Sequence, residues 1–84
     1  MKFRAEIDVM PLRALLDPQG KAVTSSLNNI KLSEITNVRI GKHISMEVDA
    51  ASKELASELV DKACKLLLHN PIMENYEFHI TEIQ

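Results

Sequence analysis

The 84-residue sequence has no tryptophan, one tyrosine, two phenylalanines, one cysteine, two glycines and three prolines. Each scarcity excludes something. A sheet-type reader of nucleic acid stacks bases on aromatics of an open sheet face. Here Phe3, Tyr76 and Phe78 all fall on the register expected to point inward. Ten Lys and Arg against twelve Asp and Glu give a formal net charge of −2, with no basic block. No nucleic-acid partner is expected. Cys64 cannot close an intramolecular disulfide, and within an apolar helical stripe it reads as a buried, inert thiol. No apolar run approaches the ~18 residues of a membrane span, and no signal-peptide pattern follows Met1. A cytoplasmic protein without a membrane partner is expected.

The chain is long enough for one domain, 1–84, and no more. A core of this size buries only roughly 60% of the surface that the unfolded chain exposes. Self-association is the expected supplement.

Hydrophobic periodicity switches several times along the chain. Phe3, Ala5, Ile7 and Val9 alternate with Arg4, Glu6 and Asp8, the period of a half-buried strand. A short apolar connection through Leu15 and Leu16 leads to Asp17 and Pro18, which read as an N-cap and a first helical residue. Val23, Leu27 and Ile30 then form a narrow helical stripe. Leu32, Ile35, Val38 and Ile40 suggest a second strand. Gly41-Lys42 stands where a two-residue turn would join it to a third, Ile44, Met46 and Val48. From Asp49 or Ser52 to about His69 runs the clearest helix, with Leu55, Leu59, Ala63 and Leu66 on one line and Ala56, Val60 and Leu67 beside it. Asn70 is suited to a left-handed helix end and Pro71 forbids continuation. Tyr76, Phe78 and Ile80 alternate as a last strand.

The expected fold class is therefore α+β, βαββαβ, an antiparallel sheet with two helices on one face, related to the ferredoxin-like arrangement. Its open face would carry Arg4, Glu6, Asp8, Arg39, His43, Ser45, Glu47, Glu77, His79 and Thr81. His43 and His79 share that face, as do Glu6, Asp8 and Glu47, yet an open sheet offers no pocket to perturb a catalytic pKa. His43, His69, His79 and Cys64 lack the spacing of a zinc site. No catalytic, cofactor-binding or metal-binding residue is assigned.

The candidate contact residues are Asp17, Pro18, Gln19, Gly20, Arg39, Gly41 and Lys42. Asp17 caps the helix and so competes with any anion for its free amides. Gly20 has poor helix propensity and suits a place where another backbone approaches closely. A contact with a partner is expected there, so that Gly20→Leu would block assembly and leave the isolated fold intact. Arg39 and Lys42 read either as a solvated hairpin or as basic contacts for an acidic partner.

Leu16-Asp17-Pro18-Gln19-Gly20 with Ala22-Val23, Val38-Arg39-Ile40-Gly41-Lys42, Cys64-Lys65-Leu66-Leu67 with Asn70-Pro71, and Tyr76 together resemble the PurS family of phosphoribosylformylglycinamidine synthase subunits. The resemblance covers nearly the whole chain. It implies a subunit of a glutamine- and ATP-dependent ligase of purine biosynthesis, without an active site of its own. That ligase converts formylglycinamide ribonucleotide, glutamine and ATP to formylglycinamidine ribonucleotide, glutamate, ADP and phosphate. The implied partners are the large synthetase PurL and the glutaminase PurQ, with this chain bridging them for ammonia transfer as a homodimer or homotetramer. ATP, magnesium and glutamine would be used by the partners, with no cofactor in this chain. A dimeric small-ligand regulatory module remains the alternative, and calorimetry against amino acids and nucleotides would separate the two.

Overall fold

A computed structural model describes residues 1–13 and 17–83, so the expected apolar connection at Leu15-Leu16 lies outside the described residues. The elements run in the order β1 (Lys2–Pro11), α1 (Pro18–Asn29), β2 (Lys42–Asp49), α2 (Lys53–Ala63), a π-helical turn (Cys64–Leu68) and β3 (Glu74–Ile83). The sheet order is β2-β1-β3, with both pairings antiparallel. The strict alternation of β1 is what its central place requires. Phe3, Ala5, Ile7 and Val9 are buried, while the intervening side chains face the open side. Register sets Phe3 against Val48, Ile7 against Ile44 on one flank and Phe78 on the other, and Val9 against Tyr76.

α2 begins at Ser52, whose hydroxyl accepts the Leu55 N–H at 3.2 Å. It covers the inner face of the sheet with Ala56, Val60 and Cys64, spaced four apart and all buried. They pack in one cluster with Phe3, Ile7 and Ile80 of the sheet. The π turn closes where the Cys64 carbonyl accepts both the His69 N–H at 3.2 Å and His69 Nδ1 at 2.6 Å. The wider turn changes the helical phase, so that Cys64 and Leu68 meet the core while Leu66 and Leu67 face outward.

The α+β class, the antiparallel sheet and the two helices agree with the expectation from sequence. Three of the four strand segments form the sheet. Leu32–Ile40 does not join the ladder, and no hairpin forms at Gly41-Lys42. Two causes are visible. Among the described residues the outer edge of β2 has no strand beside it, but the backbone N–H groups of Val38 and Ile40 that would pair there are spent on side chains of the first helix region instead. Lys31 and Asn37 adopt positive φ (65° and 58°) and break the run on either side of Ile35. The left-handed residue expected at Asn70 is absent, because His69 leaves the helix in an extended conformation and the Asn70 side chain accepts the Ile72 N–H at 3.0 Å.

The packed layers are the sheet and α2; α1 stands away from the strands. The Cα radius of gyration is 16.5 Å, against about 12 Å for a compact chain of this length, and the extents are 51 × 29 × 14 Å. Much of the expected inner surface is left uncovered by the described residues. Leu55 and Leu59 are about half exposed, Ile30 more so, and Leu66 and Leu67 are 74% and 81% exposed.

Candidate functional site

The two stretches singled out in the sequence meet in space. Asp17 joins them. Its Oδ1 accepts the Gly20 N–H at 3.0 Å, which caps α1, and its Oδ2 accepts the Ile40 N–H at 3.0 Å. Those two backbone donors hold the Asp17 carboxyl below the usual carboxylate range, and the Arg39 charge adds to the effect. Thr24 Oγ1 donates to the Gly20 carbonyl at 2.9 Å and accepts the Val38 N–H at 3.4 Å. The Arg39 guanidinium donates to the Pro11 carbonyl at the end of β1. The segment 38–40 is thus clipped between α1 and the sheet.

Both glycines are explained by this clip. A Cβ at Gly20 would overlap the Val38 carbonyl oxygen and the Asp17 carboxylate, and one at Gly41 would overlap the Val9 carbonyl and Met10. The close approach expected at Gly20 is present, but the approaching backbone belongs to the same chain. Neither glycine has positive φ. Arg39 is likewise committed internally. Pro18, Gln19, Gly41 and Lys42 are the exposed members of the set, and Lys42 Nζ lies 3.8 Å from Glu74 Oε2.

A second constellation occupies the open face of the sheet. His43 stands opposite Asp8 in the ladder, with Nδ1 2.7 Å from Asp8 Oδ1 and Nε2 2.6 Å from Glu6 Oε2. Ser45 donates to Glu6 Oε1 at 3.1 Å. Sequence reasoning placed the histidines and the carboxylates on this face as separate groups. Only the register of β1 against β2 pairs them, and that of β1 against β3 puts His79 opposite Glu6 from the other flank. Among the described residues no group of His, Cys, Asp and Glu is placed to hold a metal ion.

The third constellation braces the helix end. Tyr76 donates to Asp61 Oδ1, Lys65 Nζ lies 3.0 Å from Asp61 Oδ2, and the His69 ring meets Tyr76 edge-on at 4.6 Å. The bond to ionised Asp61, together with burial, pushes the Tyr76 phenol up to about 12. Near this brace the apolar side chains Leu59, Leu66, Leu67, Ile72 and Met73 are exposed, with no cover from the described residues.

Fold and site together define a small α+β binding domain. Its polar constellations join its own segments, and they leave one apolar face and one charged face open. Comparison with known proteins makes the assignment narrower. The model of the PurS family, described as phosphoribosylformylglycinamidine (FGAM) synthase, matches residues 4–82, and the chain belongs to that family. It is 41% identical over 75 residues to the PurS subunit of phosphoribosylformylglycinamidine synthase of Thermotoga maritima, covering 89% of this chain and 92% of that one. To the corresponding Bacillus subtilis subunit it is 31% identical over 81 residues, covering 96% and 95%. Among solved structures, PurLQS from Thermotoga maritima contains a chain that superposes with a TM-score of 0.89 at 38% identity, covering 96% of this chain and 99% of that one.

Proposed function

We propose that this chain is the small, non-catalytic subunit of phosphoribosylformylglycinamidine synthase. In that role it bridges a PurL-type synthetase and a PurQ-type glutaminase, so that ammonia released from glutamine reaches the synthetase site. The observation that carries this reading is the family match along residues 4–82, reinforced by likeness to a chain of a PurLQS structure. The physical contribution is proximity: two active sites held in fixed relation exchange a reactive intermediate without losing it to bulk water. ATP, magnesium and glutamine are used by the partners, in the cytoplasm, and no cofactor is held by this chain.

The geometry supports a scaffold that works as an oligomer. A flat monomer with leucines on consecutive positions 66 and 67 exposed presents apolar surface of the kind that marks an interface. Two copies joining through α2 and the π turn would cover the leucines that one chain leaves exposed, in a homodimer or homotetramer. Pro18, Gln19 and Lys42, exposed on the rigid clip, are the proposed contacts for an enzyme partner. Asp17, Gly20, Arg39 and Gly41 then act by holding that surface in shape.

Co-purification with the large synthetase and glutaminase of the same organism, with and without glutamine and ADP, tests the proposal. A complex containing all three chains and synthesising formylglycinamidine ribonucleotide from glutamine is expected. Full glutamine-dependent synthesis by the other two chains alone would refute it.

A further inference from the structure

The open face of the sheet holds an arrangement that neither the core nor the apolar surface requires. Ionised carboxylates only accept hydrogen bonds, and a neutral imidazole donates from one nitrogen only. Yet both ring nitrogens of His43 lie within 2.7 Å of carboxylate oxygens belonging to two different residues. Only the imidazolium form satisfies both. Once the proton leaves, one nitrogen lone pair faces a carboxylate at contact distance, and the ring must turn away from it.

We propose that Glu6, His43 and Asp8 form a proton-operated clamp on the open face, closed when the imidazole is charged and open when it is neutral, so that the negative charge offered to a basic partner surface rises with pH. Glu6 and Asp8 are two residues apart on β1 and point the same way, about 7 Å apart along the strand. Without a cation between them they repel. Ser45 Oγ holds Glu6 Oε1 independently of the ring, so the carboxylate stays aimed at the vacated position when the clamp opens. Arg13 and Arg39 line one concavity with Asp8, and ladder neighbours complete the electrostatics. On β1 Arg4 precedes Glu6, on β2 Glu47 follows Ser45, and on β3 Glu77 stands opposite Asp8 and His79 opposite Glu6. α2 packs against the other face and contributes none of these groups. The bonds to Asp8 and then Glu6 raise the His43 pKa above the ordinary 6.5, against a smaller opposing effect of desolvation. The same contact lowers that of Glu6. A raised folded-state value means that the clamp stabilises the fold fully below pH 6.5, and that this stabilisation is lost as pH rises through the folded-state value.

The experiment is a side-chain NMR titration of the full chain labelled in histidine, beside Glu6→Gln, Asp8→Asn and the double variant. In the wild type both His43 ring nitrogens are expected to carry protons at pH 6.5, with a midpoint above that of a free imidazole. Each single variant lowers the midpoint, and the double variant returns it to the free value. Titration with tetralysine as the basic probe reads the charge of the face. Its affinity is expected to rise roughly twofold to fivefold as pH passes the His43 midpoint, the range for one exposed ion pair. His43→Gln, checked for an unchanged thermal transition, should abolish that rise. A midpoint that the double variant does not move, or a pH response that His43→Gln retains, overturns the clamp. Neither readout depends on the enzyme partners, so the result is separable from the fate of the scaffold proposal.

Discussion

Gly20→Ala offers the sharpest test of the clip, because two opposing effects of known size meet at one atom. At an open helical position the substitution would gain about 1 kcal/mol, since alanine is the better helix former and restricts the unfolded chain. Gly20 is not open. It is buried, and the added Cβ would overlap the Val38 carbonyl oxygen, a backbone atom that no rotamer change can remove. To admit the methyl, the segment 38–40 must move off α1, which breaks the Thr24 bond to Val38 and the Asp17 bond to Ile40. Forcing a methylene-sized group into packed structure costs about 1–3 kcal/mol, and losing the two hydrogen bonds costs about 1 kcal/mol each. Set against the helix gain, the net is a destabilisation of about 3 kcal/mol, which lowers Tm by roughly 12–24 °C in a domain of this size. The assay is thermal unfolding by circular dichroism at one fixed protomer concentration, since association makes Tm concentration-dependent. Lys21→Ala, at the exposed neighbouring position, serves as control and should move Tm by no more than about 2 °C. A Gly20→Ala protein at least as stable as the wild type would show that the close approach is not a constraint. Gly20→Leu should be worse, so the expectation that leucine there leaves the isolated fold intact is not supported by the structure.

Other consequences are open to direct measurement. Val60→Ala, in the buried seam of α2, should cost about 2 kcal/mol in chemical denaturation, from lost burial and the cavity left behind; a change below about 0.5 kcal/mol would deny the seam its role. Replacing Leu66 and Leu67 together by serine should hardly change the stability of a single protomer, but in sedimentation it should shift the protein toward the 9.5 kDa species. Unchanged oligomer mass would move the interface elsewhere. Ultraviolet titration should find the Tyr76 phenol ionising near 12 in the folded protein and near the ordinary value of about 10 in Asp61→Asn. Because the folded-state value is the higher one, the bond supports the fold below pH 10 and the support fades as pH rises toward about 12.

The sequence determined the elements whose signals are local. Period-two alternation placed β1 and β3, Asp17-Pro18 and Ser52 marked where the helices begin, and Cys64 was legible as a buried thiol because it continues an apolar line. The motifs around Asp17, Gly41 and Pro71 carried the family. What only the tertiary structure decided were questions of competition between partners. Leu32–Ile40 has the apolar content of a strand, but its Val38 and Ile40 N–H groups are taken by Thr24 and Asp17, and positive φ at Lys31 and Asn37 breaks the extended run. Periodicity showed that α2 has a wide apolar face, yet the sheet covers only the Ala56–Val60–Cys64 seam; which leucines remain exposed depends on the helix angle and the π turn. The need for glycine at position 20 was readable as a demand for space, while the backbone that occupies the space arrives from a segment 18 residues further on. His43 was legible as a residue of the open face but not as a partner of Glu6 and Asp8, because a contact between residues 35 and 37 positions apart follows from strand register, which no local pattern encodes.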